Sequence, residues 1–536
     1  MKNNILLAIF IIPFVFSFSQ STIDFSLQIN QIEIENLQGL HSYAFAQHDG
    51  KWLIIGGRKD GLHARQPFNA FPQAQNNTDV YVIDIENNQF WSKSLNSLSS
   101  SIAEQLQSTN MNFYQIEDTL YFIGGYAFAN SLNDHITFPY ITTIQVSDVI
   151  NAVVNNQLFA DFFKQIEDQR FAVTGGQLNF LNNTFYLVGG HRFDGRYNPM
   201  GNPTYNQSYT NAIKKFKINN SNSITISDYQ EILDPVHLRR RDYNLLPQIF
   251  PNGEEGFTLF SGVFQQNADL PFLYPVDITE GDYIPITEFN QYLSCYHGAK
   301  IPVYDSVKNI MYSMFLGGMA QYYYDENDNL IQDDLVPFVK TISMVTRDSN
   351  GVLNEIRLPI EMPGLNGSSA EFIPNLNLPR YKSGIIKLNE LQDDTVLLGH
   401  IFGGIKTPML NPFSINQTNT TSAENYLFEV KMYDSQGSTT KIPALKNQNP
   451  YDLNVFPNPA KNDFTFELEV NTKDKVFYYL TNSQGQILMD GYISVPSNEK
   501  IEHNVKLNKK NANGIYHLTV VINDKYYLYE KILQSN

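Results

Sequence analysis

Lys51-Trp52-Leu53-Ile54-Ile55-Gly56-Gly57 decides how this chain is read: a turn, a strand of aromatic and branched residues, then a pair of glycines. The passage recurs as Thr119 to Gly125 (TLYFIGG), Thr184 to Gly190 (TFYLVGG), Phe257 to Gly262 (FTLFSG), Met311 to Gly318 (MYSMFLGG) and Val396 to Gly404 (VLLGHIFGG). Taken at positions 56, 124, 189, 261, 317 and 403, the six copies follow one another at 68, 65, 72, 56 and 86 residues. That spacing is too irregular for a solenoid and natural for repeated sheets with variable loops.

The glycine pair has a physical reason, because a position without Cβ lets backbones approach and accepts positive φ. After it come alternating strands, as in Asp79 to Ile85, the turn Glu86-Asn87-Asn88, and Gln89-Phe90-Trp91. The fifth copy repeats this with Lys340 to Thr346, the turn Asp348 to Gly351, and Val352 to Leu358, giving a four-strand unit. Gly pair, Tyr-bearing strand and Trp beyond a short turn resemble the kelch repeat, over roughly residues 23–433. The resemblance implies a β-propeller.

The sixth copy has one further strand, Asn425 to Lys431, and then stops one strand short. Ser26 to Glu35 alternates as Leu27, Ile29, Ile32 and Ile34 before the first copy, so it can supply the missing strand and leave no open edge. Six blades are expected, with seven as the other count. The second unit departs most, since Ser147 to Gln169 reads as partly helical.

Composition agrees with an all-β chain: 536 residues, 42% hydrophobic, 13% aromatic and only 17% charged. A net charge of -17 opposes binding to nucleic acid. The single cysteine, Cys295, excludes an internal disulfide framework and any Cys-rich metal site, and is expected to be buried. No cofactor or metal is expected.

Both ends read as address labels. Residues 1–19 carry Lys2, an apolar run from Ile5 to Phe16, and Ser17-Phe18-Ser19, the pattern of a signal peptide. The run is too short to span a bilayer, and no transmembrane segment is expected elsewhere. With a propeller assigned to 20–434 and a polar linker to 435–449, residues 450–536 form a block of short strands expected to be a small β-sandwich: 464–470, 476–480, 482–488, 513–520 and 526–533. Phe456-Pro457-Asn458-Pro459-Ala460, the Gly485 turn, Gly514-Ile515-Tyr516 and Lys531-Ile532 closely resemble the type A sorting domain of the Bacteroidetes type IX secretion system. The resemblance implies recognition by that machinery, common removal of the domain, and a secreted or cell-surface product. Residues 447–536 hold 9 basic and 10 acidic residues, so the acidity belongs to the propeller.

In a propeller the loops after the glycine pairs and the connections into each first strand share one face. Here they carry Arg58, His63, Arg65, Tyr126, His191, Arg192, Arg196, Arg240, His297, Tyr322 and Arg380, candidates for binding a glycan, an anionic metabolite or a protein through bidentate arginines and aromatic stacking. The competing structural reading is that an arginine before a first strand bonds neighbouring carbonyls. Asp60, Asp194, Asp242 and Asp325 could serve acid–base chemistry, but loop acids commonly cap turns. No nucleophile elbow, phosphate loop or metalloprotease helix is present. Kelch-type copper radical oxidases use a Tyr crosslinked to a Cys, and Cys295 has no accompanying ligand motif. The reading is a noncatalytic binding module, with a carbohydrate-modifying enzyme resembling kelch-type sialic-acid mutarotases, or a structural and adhesive surface protein, as alternatives.

Overall fold

A computed structural model describes residues 23–200, 204–434, 445, 447–497, 499–507 and 514–534. The signal peptide expected at 1–19 lies outside the described residues, as does most of the 435–449 linker. The fold is all-β, with short helices at Ser100–Leu106 and Val146–Val154. The second helix stands inside the stretch the sequence marks as partly helical.

Six antiparallel sheets follow one another at residues 44–94, 112–167, 177–233, 244–285, 299–361 and 371–434. The first five meander through four strands in chain order, and the fifth adds a parallel two-residue strand, Ile386–Lys387, beside its first. The sixth takes its outer strand from the start of the chain: Phe25–Ile32 pairs antiparallel with Leu427–Asp434, from Phe25 opposite Asp434 to Ile32 opposite Leu427.

Strands this apolar need cover on both faces. In the first sheet Leu53 and Ile55 join a core with Leu120 and Phe122 of the second. The alternate residues Trp52 and Ile54 join a core with Ile373 and Phe402 of the sixth. Further cores lie between the second and third sheets, the third and fourth, the fourth and fifth, and the fifth and sixth. Every sheet is thus sandwiched between two others.

The innermost strands are stitched by amides. Gln47 and Gln115 exchange bonds of 2.8 Å between the first two sheets, and Gln47 Nε2 donates to the Pro374 carbonyl of the sixth at 3.1 Å. Above them runs a collar of six backbone bonds. The amide of Ser42 donates to the carbonyl of Ser369, Ser369 to His297, His297 to Asp242, Asp242 to Gly175, Gly175 to Asn110, and Asn110 back to Ser42, at 2.8–3.3 Å.

The glycines fill the role their repetition implies. Gly124 has φ 69°, and a Cβ there would stand 1.8 Å from the carbonyl oxygen of Val173. In the fourth copy Ser261 takes the same left-handed conformation, its hydroxyl bonded to the carbonyls of Phe272 at 2.6 Å and Cys295 at 3.2 Å.

The C-terminal block is a two-layer β-structure. Asn454–Phe456, Asp463–Glu469 and Lys500–Lys506 form one sheet; Val476–Asn482, Ile487–Ile493, Gly514–Ile522 and Tyr526–Gln534 form the other. Phe464, Phe466, Leu480, Leu518 and Ile532 fill the core between them. Residues 483–486, expected within a strand, are instead a turn: Asn482 Oδ1, at the end of the preceding strand, accepts from the amides of Gln484 and Gln486.

Candidate functional site

Ser42, Asn110, Gly175, Asp242 and His297 of the collar line a cavity of about 260 Å³, together with Ser383 and Gly384. Its walls alternate aromatic and polar groups, among them Phe45, Phe113, Phe372, Asn110, Asn179 and Gln177. Besides Tyr43, four ionisable side chains line it: Asp242, His297, Lys300 and Glu371. Asp242 accepts from Asn110 Nδ2 at 2.9 Å and is paired with Arg241. Glu371 bonds His297 Nε2 at 2.9 Å and lies 4.0 Å from Lys300 Nζ. Burial pushes the Glu371 carboxyl upward, but His297 and Lys300 outweigh it and hold the group below its usual range. Burial likewise lowers Lys300, opposed by Glu371.

His297 is the sequence candidate that reaches this cavity. Most of the others are engaged in the loops above. His63 stacks on Phe71 at 4.8 Å and meets the edges of Tyr197 at 4.6 Å and Phe413 at 5.4 Å, joining loops of the first, third and sixth sheets into an aromatic cap. Burial, reinforced by Arg241 and Arg58, pushes its imidazole down to about 4. Tyr126 packs edge-on to Phe71 and donates to the Gly195 carbonyl at 2.9 Å. His191 Nδ1 lies 2.6 Å from Gln207 Nε2, and burial lowers its pKa strongly.

Three of the loop arginines, Arg58, Arg192 and Arg65, already have partners for their side chains. Arg58 forks onto Asp60 at 2.9 and 2.6 Å and donates to Asn76. Arg192 pairs with Asp194 at 2.5 Å. Arg65 donates to the Ser414 carbonyl at 3.0 Å over the Phe413 ring. Arg196 is half-buried, and its carbonyl accepts from Thr204 Oγ1 at 2.7 Å. Three candidates lie apart. Arg240 is fully buried between Phe272 and Tyr274 and donates to the carbonyls of His237, Ser261 and Tyr274. Tyr322 packs on Tyr292 at 4.4 Å and donates to Gln332. Arg380 bridges to Ile386, which lines the cavity.

Of the loop acids, Asp60 and Asp194 are ion-paired, and Asp325 caps its hairpin by accepting from the amides of Asn327 and Asn329. Cys295 is buried, which pushes its thiol up to about 12. No group of three or more His, Cys, Asp or Glu able to hold a metal occurs among the described residues.

Glu371 and Lys300 escape a search of loops because they sit in first strands. Their signal is a charge at an alternating position, as in Ala299-Lys300-Ile301, where the neighbours point into cores between sheets.

In the C-terminal block, Asn458 of the Pro457-Asn458-Pro459 passage donates to the Lys531 carbonyl at 2.8 Å and accepts from the Leu533 amide at 3.0 Å. Gly485 turns at φ 73°, and Tyr516 is buried opposite Ile532, beside Gly514 at the head of its strand. Residues 454–534 match the family described as the secretion system C-terminal sorting domain. No curated protein matches the chain. Solved structures similar to it include YjhT, at 11% identity and TM-score 0.41, covering 77% of this chain and 100% of that one. Another is a fungal alcohol oxidase of the AA5 family in complex with copper, at 8% identity and TM-score 0.36, covering 95% and 99%. The sorting domain marks the chain as a secreted or cell-surface protein that engages the type IX secretion machinery. No helix among the described residues is long and apolar enough to cross a membrane.

Proposed function

We propose that residues 20–434 form a six-bladed kelch-like β-propeller whose axial cavity is a noncatalytic binding site for a neutral glycan end. On this reading residues 1–19 are a signal peptide, 435–449 a linker, and 450–536 the sorting domain. The collar from Ser42 through Ser369 and back, together with the shared core of the first and sixth sheets, supports six blades.

One observation favours a sugar over the anion that the arginine-rich loops suggest. Arg58, Arg192 and Arg241 are each held by an aspartate, so the face offers few unspent cations. The cavity below has the makings of polyol recognition: Asp242, Glu371, amides, and aromatic rings. Its volume of about 260 Å³ is just below the range of ligand pockets, about 300–1,000 Å³, suiting a single terminal unit. The test is a glycan array followed by calorimetry on the secreted protein. Binding to neutral glycans, weakened at least tenfold by Asp242→Asn, supports the reading; a preference for anionic ligands, or no glycan bound, overturns it.

A second reading rests on His297 and Glu371. A histidine bonded to a carboxylate in a cavity can hold and return a proton, the minimum for acid–base chemistry on a bound sugar such as kelch-type mutarotases perform. Turnover of a reducing sugar abolished by His297→Gln would favour this enzyme over the binding module.

A further inference from the structure

We propose that the six-sheet body keeps residues 445–534 as a noncovalently bound subunit after the chain is cut between residues 434 and 445. The resemblance to a sorting domain implies its common removal from the cargo, yet every contact below survives such a cut.

The first is a strap. Asn447 is fully buried, donates to the Asn290 carbonyl at 2.5 Å and to Glu355 Oε2 at 2.7 Å, and accepts from the Asn290 amide at 2.7 Å. Two residues on, the Asn449 amide donates to the Glu288 carbonyl at 2.7 Å. The second is a shared core. Phe477, Tyr479, Val521 and Tyr527 of the sorting domain are buried in the cluster between the third and fourth sheets, with Tyr527 4.8 Å from Tyr274 ring to ring. The third is a set of buried polar bonds across the same seam. His237 Nε2 meets Thr519 Oγ1 at 2.9 Å, and Gln265 bonds both the Tyr527 hydroxyl at 2.9 Å and the Asp524 carbonyl at 2.7 Å.

Departure of the domain would open an aromatic core to water and break the bonds that Asn447, His237 and Gln265 make across the seam, and the apolar loss is the larger cost. Interfaces with a buried apolar and aromatic centre crossed by specific hydrogen bonds are those of permanent complexes. Cleavage therefore converts one chain into two that stay together.

The experiment places a protease recognition sequence within 435–444 of residues 20–536, cuts to completion, and follows the fragments by gel filtration and native mass spectrometry at micromolar concentration. Both fragments in one peak, parted only by denaturant, is the expected result; a sorting-domain fragment eluting alone overturns the proposal. A Tyr527→Ala, His237→Ala chain, cut in the same way, should dissociate at least 100-fold faster. If that double variant fails to fold before cutting, Gln265→Ala with Asn267→Ala, which removes the 2.8 Å bond to the Tyr479 hydroxyl, should give at least tenfold. Unchanged dissociation in the folded variant overturns the assignment of this seam.

Discussion

The backbone amide of Ser42 donates to the carbonyl of Ser369 at 3.0 Å, binding the entrance of the first sheet to that of the sixth. The same two sheets are joined at the rim by Phe25–Ile32, which completes the sixth sheet from the beginning of the chain. Removing residues 23–33 should therefore strip the sixth sheet of its outer strand. It exposes the edge Leu427–Asp434 and takes Phe25 and Leu27 out of their core, at about 1.5–3 kcal/mol for each side chain. A lower melting temperature and concentration-dependent assembly in light scattering are expected, both reversed by adding the missing segment as a peptide. An unchanged melting curve would show that this outer strand carries no stability.

The repeated glycines allow a sharper comparison. At Gly124 a methyl group would meet both a left-handed backbone, φ 69°, and the Val173 carbonyl at 1.8 Å; at Gly50 the backbone is equally left-handed, φ 73°, with nothing within 4 Å. Conformation alone costs about 1–2 kcal/mol. Urea unfolding should place Gly50→Ala in that range and Gly124→Ala at least about 2 kcal/mol beyond it, because there the neighbouring sheet must move. Equal losses would mean that the glycine pair serves turn geometry and not sheet packing.

What could be read beforehand follows from periodicity. Trp52 and Ile54 alternate with Leu53 and Ile55, so a strand buried on both faces announces itself, and repetition of its Gly pair announces the number of sheets. The arginines could not be read this way, because no period governs a loop. Arg239, Arg240 and Arg241 are consecutive, yet Arg239 lies over the Tyr209 ring, Arg240 is enclosed in the core and Arg241 pairs with Asp242. Glu371 and Lys300 were hidden for the opposite reason: each occupies a regular strand position whose direction toward the axis depends on how the six sheets are arranged.

Arg240 accordingly acts on stability. Its guanidinium satisfies the carbonyls of His237, Ser261 and Tyr274, all in a fully buried setting. Arg240→Ala leaves several acceptors unpaired, each costing about 1–3 kcal/mol, together with a cavity between two aromatic rings. A loss of at least about 3 kcal/mol in chemical unfolding is expected, with glycan affinity per folded molecule within twofold of the parent. A stable variant with weakened binding would instead return this residue to the ligand site.

Glu355 gives the stability of the chain a pH dependence of defined sign. Burial raises its carboxyl from 4.5 to about 7, although the amides of Tyr292 and Leu293 and the Asn447 side chain all donate to it. Between those two values the folded chain retains a proton that the unfolded chain has released, so the unfolded state binds fewer protons and stability falls as pH rises. The contribution is complete below pH 4.5 and lost by about pH 7, on the order of 3 kcal/mol over the window. Glu355→Gln removes the titration while keeping a carbonyl acceptor for the strap. Urea midpoints measured every half unit from pH 4.5 to 7.5 should decline more steeply for the parent than for this variant; parallel curves would mean that the carboxyl ionises in the folded chain as freely as in water, and that the strap at Asn447 is held without it.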